Sequence, residues 1–573
     1  MKTTLPILFL FVTLLHGNGF LSIFAVESRP NVVLVITDDQ GYGDIAAHGN
    51  RIIQTPKLDK LRDESIRFTQ FHVDPTCAPT RSALLTGRYS TRVGIWHTIL
   101  GRSILRKNEI LLPQLFSNAG YQTGMFGKWH LGDNYPYRPH DRGFREAFYH
   151  LGGGVSQSPE FWGNDYFDDT YYRNGIPEKT SGYCTDVWFS NAIDFIKRHR
   201  DNPFFLYLAT NAPHQPLNID EKYWKPYVEK GIAEPLARFY GMITNIDENI
   251  ERLDQTLQEL GLADNTIFIF MTDNGSAGNG FNAGMRGRKG TPYDGGHRVP
   301  FFIRLPNGNF GQPRNINTLA AHIDLLPTLT EICHLQKPEN IVLDGKSLLP
   351  LLVSEKQPEN WSDRGLGIEV NRNGIPQPWV NSVFLTQRWR LVNGTELYDI
   401  ETDPGQNHNI AAQRSEIVTE LRRQSMERWA DILQGAREWS RIPIGSPNAN
   451  PVRLCVHDWN GTGVPAYHNR VADFIANGRW AVDIERNGKY RFRLRHFPEE
   501  SGLPLHATNA ALIVNNQRWE KNEVNTNNPQ NEVQEIVFDV ALQAGPAWIE
   551  TELDDQQHGI YRGAFYVYVE FLE

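Results

Sequence analysis

The sequence predicts an α/β fold: a large mixed, mostly parallel sheet flanked by helices, with a small antiparallel C-terminal subdomain and a further β-sandwich-like domain at the C-terminus. Three observations predict it. Short β-branched or aromatic runs alternate with helical stretches through the first 345 residues. The pattern then shifts to short antiparallel strands. Finally, a Pro-, Asn- and Gly-rich stretch at 441–451 precedes residues that alternate with period two.

In order, "NVVLVI" (31–36) reads as a buried strand that ends in the polar turn "TDDQGYGD". Residues 56–66 read as a helix and "RFTQFHV" as the next strand. A helix around 111–119 closes at Gly120, and "YQTGMFGKWH" runs from strand into loop. "CTDVWFSNAIDFIKRH" is a helix, "PFFLYLAT" a strand entering the loop "NAPHQP". Residues 236–259 form a long helix, and "NTIFIFMTDNG" a strand with a polar end. The catalytic-type domain is therefore assigned to 28–345. A subdomain follows at 346–440, with a turn at Asp403-Pro404 and a charged helix over about 414–433. Residues 441–451 are expected to be a linker and 452–573 an accessory β domain.

A chain of 573 residues exceeds one ordinary core, so two or three domains are expected. The 40% hydrophobic and 21% charged content suits a globular protein. A net charge of −9 argues against general nucleic-acid binding. Residues 1–25 carry one lysine, an apolar run from Leu5 to Leu15 and small residues near Ala25, a signal-peptide pattern that predicts export to the periplasm or the exterior. No later stretch is apolar enough to span a bilayer. Four cysteines (Cys77, Cys184, Cys333, Cys455) are too few for a disulfide framework and contain no CxxC pair for zinc.

Ligands of such sheets collect beyond the carboxyl ends of the strands. That rule brings Asp38, Asp39, Lys128, His130, His214, Asp273 and Asn274 to one rim. The Asp38-Asp39 and Asp273-Asn274 pairs offer only oxygen ligands, which suit Ca²⁺ or Mg²⁺. Lys128, His130, His214 and Lys289 occupy Gly- or Pro-marked loops. Such cations beside a divalent metal would bind a tetrahedral oxyanion and neutralise charge developing in transfer, as in phosphate or sulfate ester hydrolysis. The residues alone leave the nucleophile open among Thr76, Cys77, Thr80 and Ser82.

"CAPTRSALLTGR" (77–88) matches C-x-P-x-R with a following T-G-R, and so resembles the signature of the type I sulfatases, enzymes with an alkaline phosphatase-like fold. "NVVLVITDDQGYGD", "TGMFGKWHLG", "NAPHQP", "MTDNG", "GRKGTPYDGGHRVP" and "LYDIETDPGQNHNIA" resemble further blocks of that family in its usual order, over about residues 30 to 435. The resemblance implies that a formylglycine-generating (sulfatase-maturing) enzyme converts Cys77 to formylglycine (3-oxoalanine), with Pro79 and Arg81 in its recognition signal. It implies a hydrated aldehyde whose one hydroxyl attacks sulfur while the other later expels sulfate. Asp38, Asp39, Asp273 and Asn274 would hold Ca²⁺ together with the modified Cys77. Arg81 would steady formylglycine, and Lys128 and Lys289 would hold sulfate oxygens. His130 would be the base for sulfate elimination, and His214, helped by Lys289, the proton donor to the leaving oxygen. Asp294 and His297 depart from the family's usual pattern in that loop.

For substrate, the aromatic and acidic stretch 152–172 is expected to form a long loop that lines the pocket, with Asp165 and Asp168 as candidate contacts beside His97. A sulfated carbohydrate is the expected substrate, with aryl sulfates as surrogates. The rival readings are a phosphate or phosphonate monoester hydrolase of the same superfamily, and a secreted binding protein on this fold.

Overall fold

The computed structural model describes residues 29–573 except 309, 357, 359–360, 362, 371, 373, 434–437, 523, 525–532 and 557. The expected signal peptide, 1–25, lies outside the described residues. Five parallel strands form the middle of a ten-stranded sheet: Thr266–Thr272, Asn31–Thr37, Phe204–Ala209, Gln122–Lys128 and Glu146–His150. Phe301–Arg304 and Ile66–Phe68 extend one edge, with Asn315–Ile316 outermost. Thr170–Arg173 and Ile176–Lys179 extend the other as an antiparallel hairpin.

Side chains of a strand alternate between faces, and the central strand shows what each face meets. Val32, Leu34 and Ile36 join the cluster containing Leu84, Leu112, Phe116 and Leu326. Val33 and Val35 join the cluster containing Phe189, Ile196, Ile243 and Ile250. Those partners come from helices Cys77–Thr86, Leu112–Asn118 and Leu325–Ile332 on one face, and Cys184–His199 and Glu234–Glu259 on the other. Burial on both faces explains why the central strand is a continuous apolar run rather than an alternating one.

A four-stranded antiparallel sheet (Leu366–Glu369, Ser382–Leu385, Trp389–Val392, Glu396–Asp399) follows, with Phe384, Leu391 and Leu397 packed against Val418 and Leu421 of helix Ser415–Ile432. The C-terminal region contains a seven-stranded and a four-stranded sheet that share one core, with Trp459, Trp480 and Phe492 at its centre. Ile104 and Tyr137, from the region before the first 150 residues end, enter that same core.

Three expectations differ from the structure. "RFTQFHV" is not one strand: Ile66–Phe68 belongs to the large sheet, whereas Phe71–His72 pairs with Ala320–Ala321 in a separate two-stranded sheet. The expected linker includes a strand, Ile442–Ile444, paired in parallel with Gly478–Ile484. Ile442 and Ile444 point into the core at 1% and 0% exposure, and Pro443 is tolerated because the strand lies at the sheet edge. Within 152–172 the last residues are strand, beginning at Thr170. All four cysteines are free and buried. Among the described residues no helix is long and apolar enough to cross a membrane.

Candidate active site

The carboxyl ends of the parallel strands converge on one centre. Asp38 and Asp39 follow Asn31–Thr37, Asp273 and Asn274 follow Thr266–Thr272, and Lys128 ends Gln122–Lys128. Cys77 is the first residue of helix Cys77–Thr86, 2% exposed, where the positive end of the helix dipole favours an anion. Its Sγ lies 3.6 Å from Asp38 Oδ1 and 3.6 Å from Lys289 Nζ. Burial, then Asp38, push the thiol up to about 11, so an unmodified Cys77 is not a thiolate near neutral pH.

Every acidic group here is cross-braced. Lys128 Nζ donates to Asp38 Oδ2 at 2.5 Å, and Lys289 Nζ donates to Asp39 Oδ1. Arg81, fully buried, donates from Nη2 and Nε to Asp273 Oδ2 at 2.8 and 3.2 Å, and from Nη1 to the Lys128 carbonyl at 2.9 Å. The Asp39 N–H donates to Asp273 Oδ1 at 3.1 Å, and Asn274 Nδ2 to Asp39 Oδ1 at 3.0 Å. Burial and the repulsion of Asp273 raise the Asp38 carboxyl well above its ordinary range, against the pull of Lys128. Burial would raise Asp39 as well, but Lys289 and His214 outweigh it and lower it.

The donor set fits a hard cation. Ligand atoms of Asp38, Asp39 and Cys77 all lie within 4.8 Å of one another. Asn274 Oδ1 is buried with no hydrogen-bond partner, which is costly for a carbonyl oxygen unless an ion takes it. Three mutually repelling carboxylates and an orphan amide oxygen are what an oxygen-seeking divalent ion such as Ca²⁺ would complete.

A cavity of about 1010 Å³ opens over this centre, and Asp39, Cys77, His97, His130, His214 and Lys289 are in its wall. Lys128 is not: it stands behind Asp38 and reaches the centre through it. Arg81 likewise braces Asp273 rather than facing the cavity. Asp39 and His130 both adopt left-handed backbone, at φ 68° and 61°, at a cost of order 1–3 kcal/mol each that is typical of functional positions.

The two histidines are held differently. His130 Nε2 donates to the Thr98 carbonyl at 2.8 Å, which leaves Nδ1, buried and without a partner, as a lone pair. Burial, then Lys128 and the neighbouring His457, keep His130 well below its ordinary pKa. His214 Nδ1 donates to the Gln215 carbonyl at 2.7 Å, and Nε2 lies 3.9 Å from Asp39 Oδ2. Burial lowers His214 to about 3, with Asp39 opposing and Lys289 assisting. Both imidazoles are therefore neutral at rest. Burial also works against the charge of Lys289, but Asp39, with Cys77 and Asp38, outweighs it and holds the ammonium above its ordinary value.

The substrate candidates separate. His97 lines the cavity, but its Nδ1 already accepts from the N–H groups of Thr98 and Ile99, and its ring also bonds the Arg372 backbone. Asp165 and Asp168 do not reach the cavity. Asp165 Oδ1 caps a local turn at Phe167 N, as short acidic side chains do, and Asp168 Oδ1 accepts from Gly182 N across the loop; both are exposed. Asp294 and His297 lie in a buried cluster away from the cavity: Asp294 Oδ1 accepts from Arg390 Nε at 2.9 Å, and the Nδ1 atoms of His297 and His72 lie 2.9 Å apart.

Sequence reasoning missed Gly153, Gln157, Gln215, Arg372 and Tyr467 in the cavity wall, and His457, whose ring lies 5.9 Å from that of His130. Gln215 sits inside the quoted "NAPHQP", and Gly153 and Gln157 sit inside the 152–172 stretch expected to line the pocket, so a signal for these three existed; Arg372, Tyr467 and His457 carry none.

Two family models match the chain: Sulfatase over residues 30–335 and N-sulphoglucosamine sulphohydrolase, C-terminal, over 288–431. Arylsulfatase J of Mus musculus is 30% identical over 425 residues, covering 68% of this chain and 68% of that protein. N-acetylgalactosamine-6-sulfatase of Homo sapiens is 33% identical over 351 residues, covering 56% of this chain and 66% of that protein. The crystal structure of Ps i-CgsB in complex with k-i-k-neocarrahexaose superposes with a TM-score of 0.64 at 26% identity, covering 72% of this chain and 95% of that one. With matched models spanning more than half its length, the chain belongs to the sulfatase family: it is a sulfuric ester hydrolase of the type I, alkaline phosphatase-like group.

Proposed function

We propose that the protein removes sulfate from a sulfated carbohydrate, with residue 77 as nucleophile once its thiol has been converted to formylglycine, and with one Ca²⁺ held by Asp38, Asp39, Asp273 and Asn274. The observation that carries this reading is the position of Cys77. It sits at a helix N-terminus, in the cavity wall, 3.6 Å from both an acidic and a cationic group of the centre. The carbohydrate is favoured because two similar proteins bear the names N-acetylgalactosamine-6-sulfatase and Ps i-CgsB, the latter crystallised with a neocarrahexaose.

Formylglycine, once water has added to its aldehyde, would supply two hydroxyls on one carbon, one for attack and one for release of sulfate. Calcium, when bound, supplies positive charge where the three carboxylates and the sulfate oxygens would otherwise repel. The chain's own residues do the rest. Lys289 holds a sulfate oxygen from the cavity side, and Lys128 adds charge from behind Asp38. His130 Nδ1 is the lone pair that takes the proton when sulfate is released. His214 and Lys289 flank the leaving oxygen. Because the Nδ1 proton of His214 is committed to Gln215, the proton available at rest is that of Lys289, and His214 Nε2 donates only after protonation.

The test uses protein co-expressed with a formylglycine-generating enzyme. Peptide mass spectrometry is expected to find the aldehyde or its hydrate at residue 77, and 4-nitrophenyl sulfate is expected to be cleaved much faster than 4-nitrophenyl phosphate. An intact thiol in fully active protein refutes the nucleophile; the reverse substrate ranking makes the protein a phosphate monoester hydrolase. We also propose that residues 1–25 direct export, which a fusion of those residues to a periplasmic reporter tests.

A further inference from the structure

The matched family models end at residue 431, yet the C-terminal β region reaches the cavity. Ala466 and Tyr467 are part of its wall. They are fastened to the loop that follows strand Glu146–His150. The Ser158 N–H donates to the Ala466 carbonyl at 3.3 Å, the His468 N–H to the Ser156 carbonyl at 2.8 Å, and Tyr566 Oη to the Ser158 carbonyl at 2.8 Å. Tyr467 is therefore held in place from both sides.

Its hydroxyl faces the catalytic centre. Tyr467 Oη accepts from Gln215 Nε2 at 2.8 Å and bonds the Gln157 side chain, and Lys289 and Asp39 are near enough to act on the phenol electrostatically. Gln157 is itself fixed, because its Oε1 accepts from Gly153 N at 3.0 Å. Gln215 is the residue after His214, and its carbonyl sets the His214 tautomer.

We propose that Tyr467, Gln157 and Gln215 form the subsite for the sugar ring of the leaving alcohol, so that the C-terminal β region is a wall of the catalytic pocket and determines its substrate. This rests on the sulfatase reading. With sulfate at Cys77 and Lys289, the leaving oxygen faces His214, and the ring that carries it extends toward the next residue, Gln215, and its partner Tyr467. Two amides and a phenol, Gln157 and Tyr467 half-buried and Gln215 exposed, present donors and acceptors but no formal charge. That chemistry matches the hydroxyls of a saccharide. A nitrophenyl ring offers these groups only the weakly accepting nitro oxygens and no donor.

The experiment compares kcat/KM for 4-nitrophenyl sulfate with kcat/KM for sulfated galactose, N-acetylgalactosamine and glucosamine saccharides, using the full-length, formylglycine-bearing protein. In Tyr467→Phe, which keeps the ring's packing, the ratio of saccharide to aryl activity is expected to fall about tenfold, the scale of one hydrogen bond lost with its partner left unpaired. Gln215→Ala is expected to lower the same ratio, and the desulfated saccharide is expected to inhibit both variants more weakly than the wild type. An unchanged ratio in both variants overturns the subsite, as does a parallel loss on both substrate types, which would mark Tyr467 as a buttress only. A wild type that cleaves the aryl sulfate and none of the saccharides overturns it too and leaves the sulfatase reading standing. A wild type inert to every sulfate ester overturns that reading itself, before any variant is made.

Discussion

Gly153 stands so close to the His130 ring that a Cβ on it would lie 2.5 Å from Cε1 and 2.7 Å from Nε2. The next residue repeats the relationship more loosely: a Cβ on Gly154 would lie 3.0 Å from the His214 ring. The backbone of two consecutive glycines thus runs between the proposed base and the proposed proton donor. Gly153→Ala must displace His130 and stretch its 2.8 Å bond to Thr98, and a shift near 1 Å at a catalytic group can cost about 100-fold. We expect kcat on 4-nitrophenyl sulfate to fall by about that factor. Gly154→Ala needs only a few tenths of an ångström and is expected to lose far less. Equal losses would count against this packing.

Arg81 and Asp273 form an ion pair with both side chains at 0% exposure. Removing one partner of such a pair strands the other charge and typically costs about 3–5 kcal/mol. Arg81→Met is therefore expected to lower the denaturant midpoint markedly. Arg81→Lys keeps the charge but loses the paired donors and the bond to the Lys128 carbonyl, so an intermediate loss is expected. Unfolding followed by fluorescence, with both variants in parallel, checks the order.

The parallel core was legible because each central strand is a short apolar run that ends in a charged or polar pair. Val32 to Ile36 followed by Asp38-Asp39 announces both a buried strand and a site. Helix Cys184–His199 was legible to the residue because its apolar positions fall on one face. What stayed illegible depends on contacts distant in sequence. Pro443 hides the strand Ile442–Ile444, whose partner lies some forty residues away. Tyr467 looks like any loop tyrosine until the fold carries it to Gln215, and Gly153 like any turn glycine until His130 is set against it. Asp165 and Asp168 misled in the other direction: acidic residues in a loop suggest a binding site, but backbone N–H groups win them, that of Phe167 two residues on for Asp165 and that of Gly182 across the loop for Asp168.

Asn274 Oδ1 has no partner in a centre that already gathers Asp38, Asp39 and Asp273. A cation bound by the folded state alone stabilises it by mass action, about 2.7 kcal/mol at 100 times the dissociation constant. Adding Ca²⁺ to chelator-stripped protein is expected to raise Tm in a concentration-dependent way. Asn274→Leu removes the orphan oxygen and one ligand, and with them the Nδ2 donor to Asp39, so it is expected to shrink that shift and also to lower Tm in chelator. A Tm indifferent to Ca²⁺ in the wild type would argue that the centre does not take the ion.

His150, at the end of a parallel strand, is fully buried; Nδ1 donates to the Leu151 carbonyl at 2.9 Å and Nε2 has no partner. Burial lowers it to about 3, and it lowers His97 and His297 to about 4. In the unfolded chain each titrates near 6.5. Above pH 6.5 both states are neutral there and these groups give no pH dependence. Below it the unfolded chain binds protons that the folded chain refuses until about pH 3–4, so stability falls with falling pH across that window, by ~1.4 kcal/mol per pH unit for each such histidine. Asp44 and Asp133, raised to about 6 chiefly by burial, and Asp247, raised to about 7, act in the opposite sense between pH 7 and 4. The clean test is a difference. The stability of wild type and His150→Gln, measured by urea unfolding from pH 7 to 4.5, is expected to diverge in slope by about one proton, with the wild type the steeper. Parallel curves would mean that His150 charges in the folded state and that its burial does not exclude the proton.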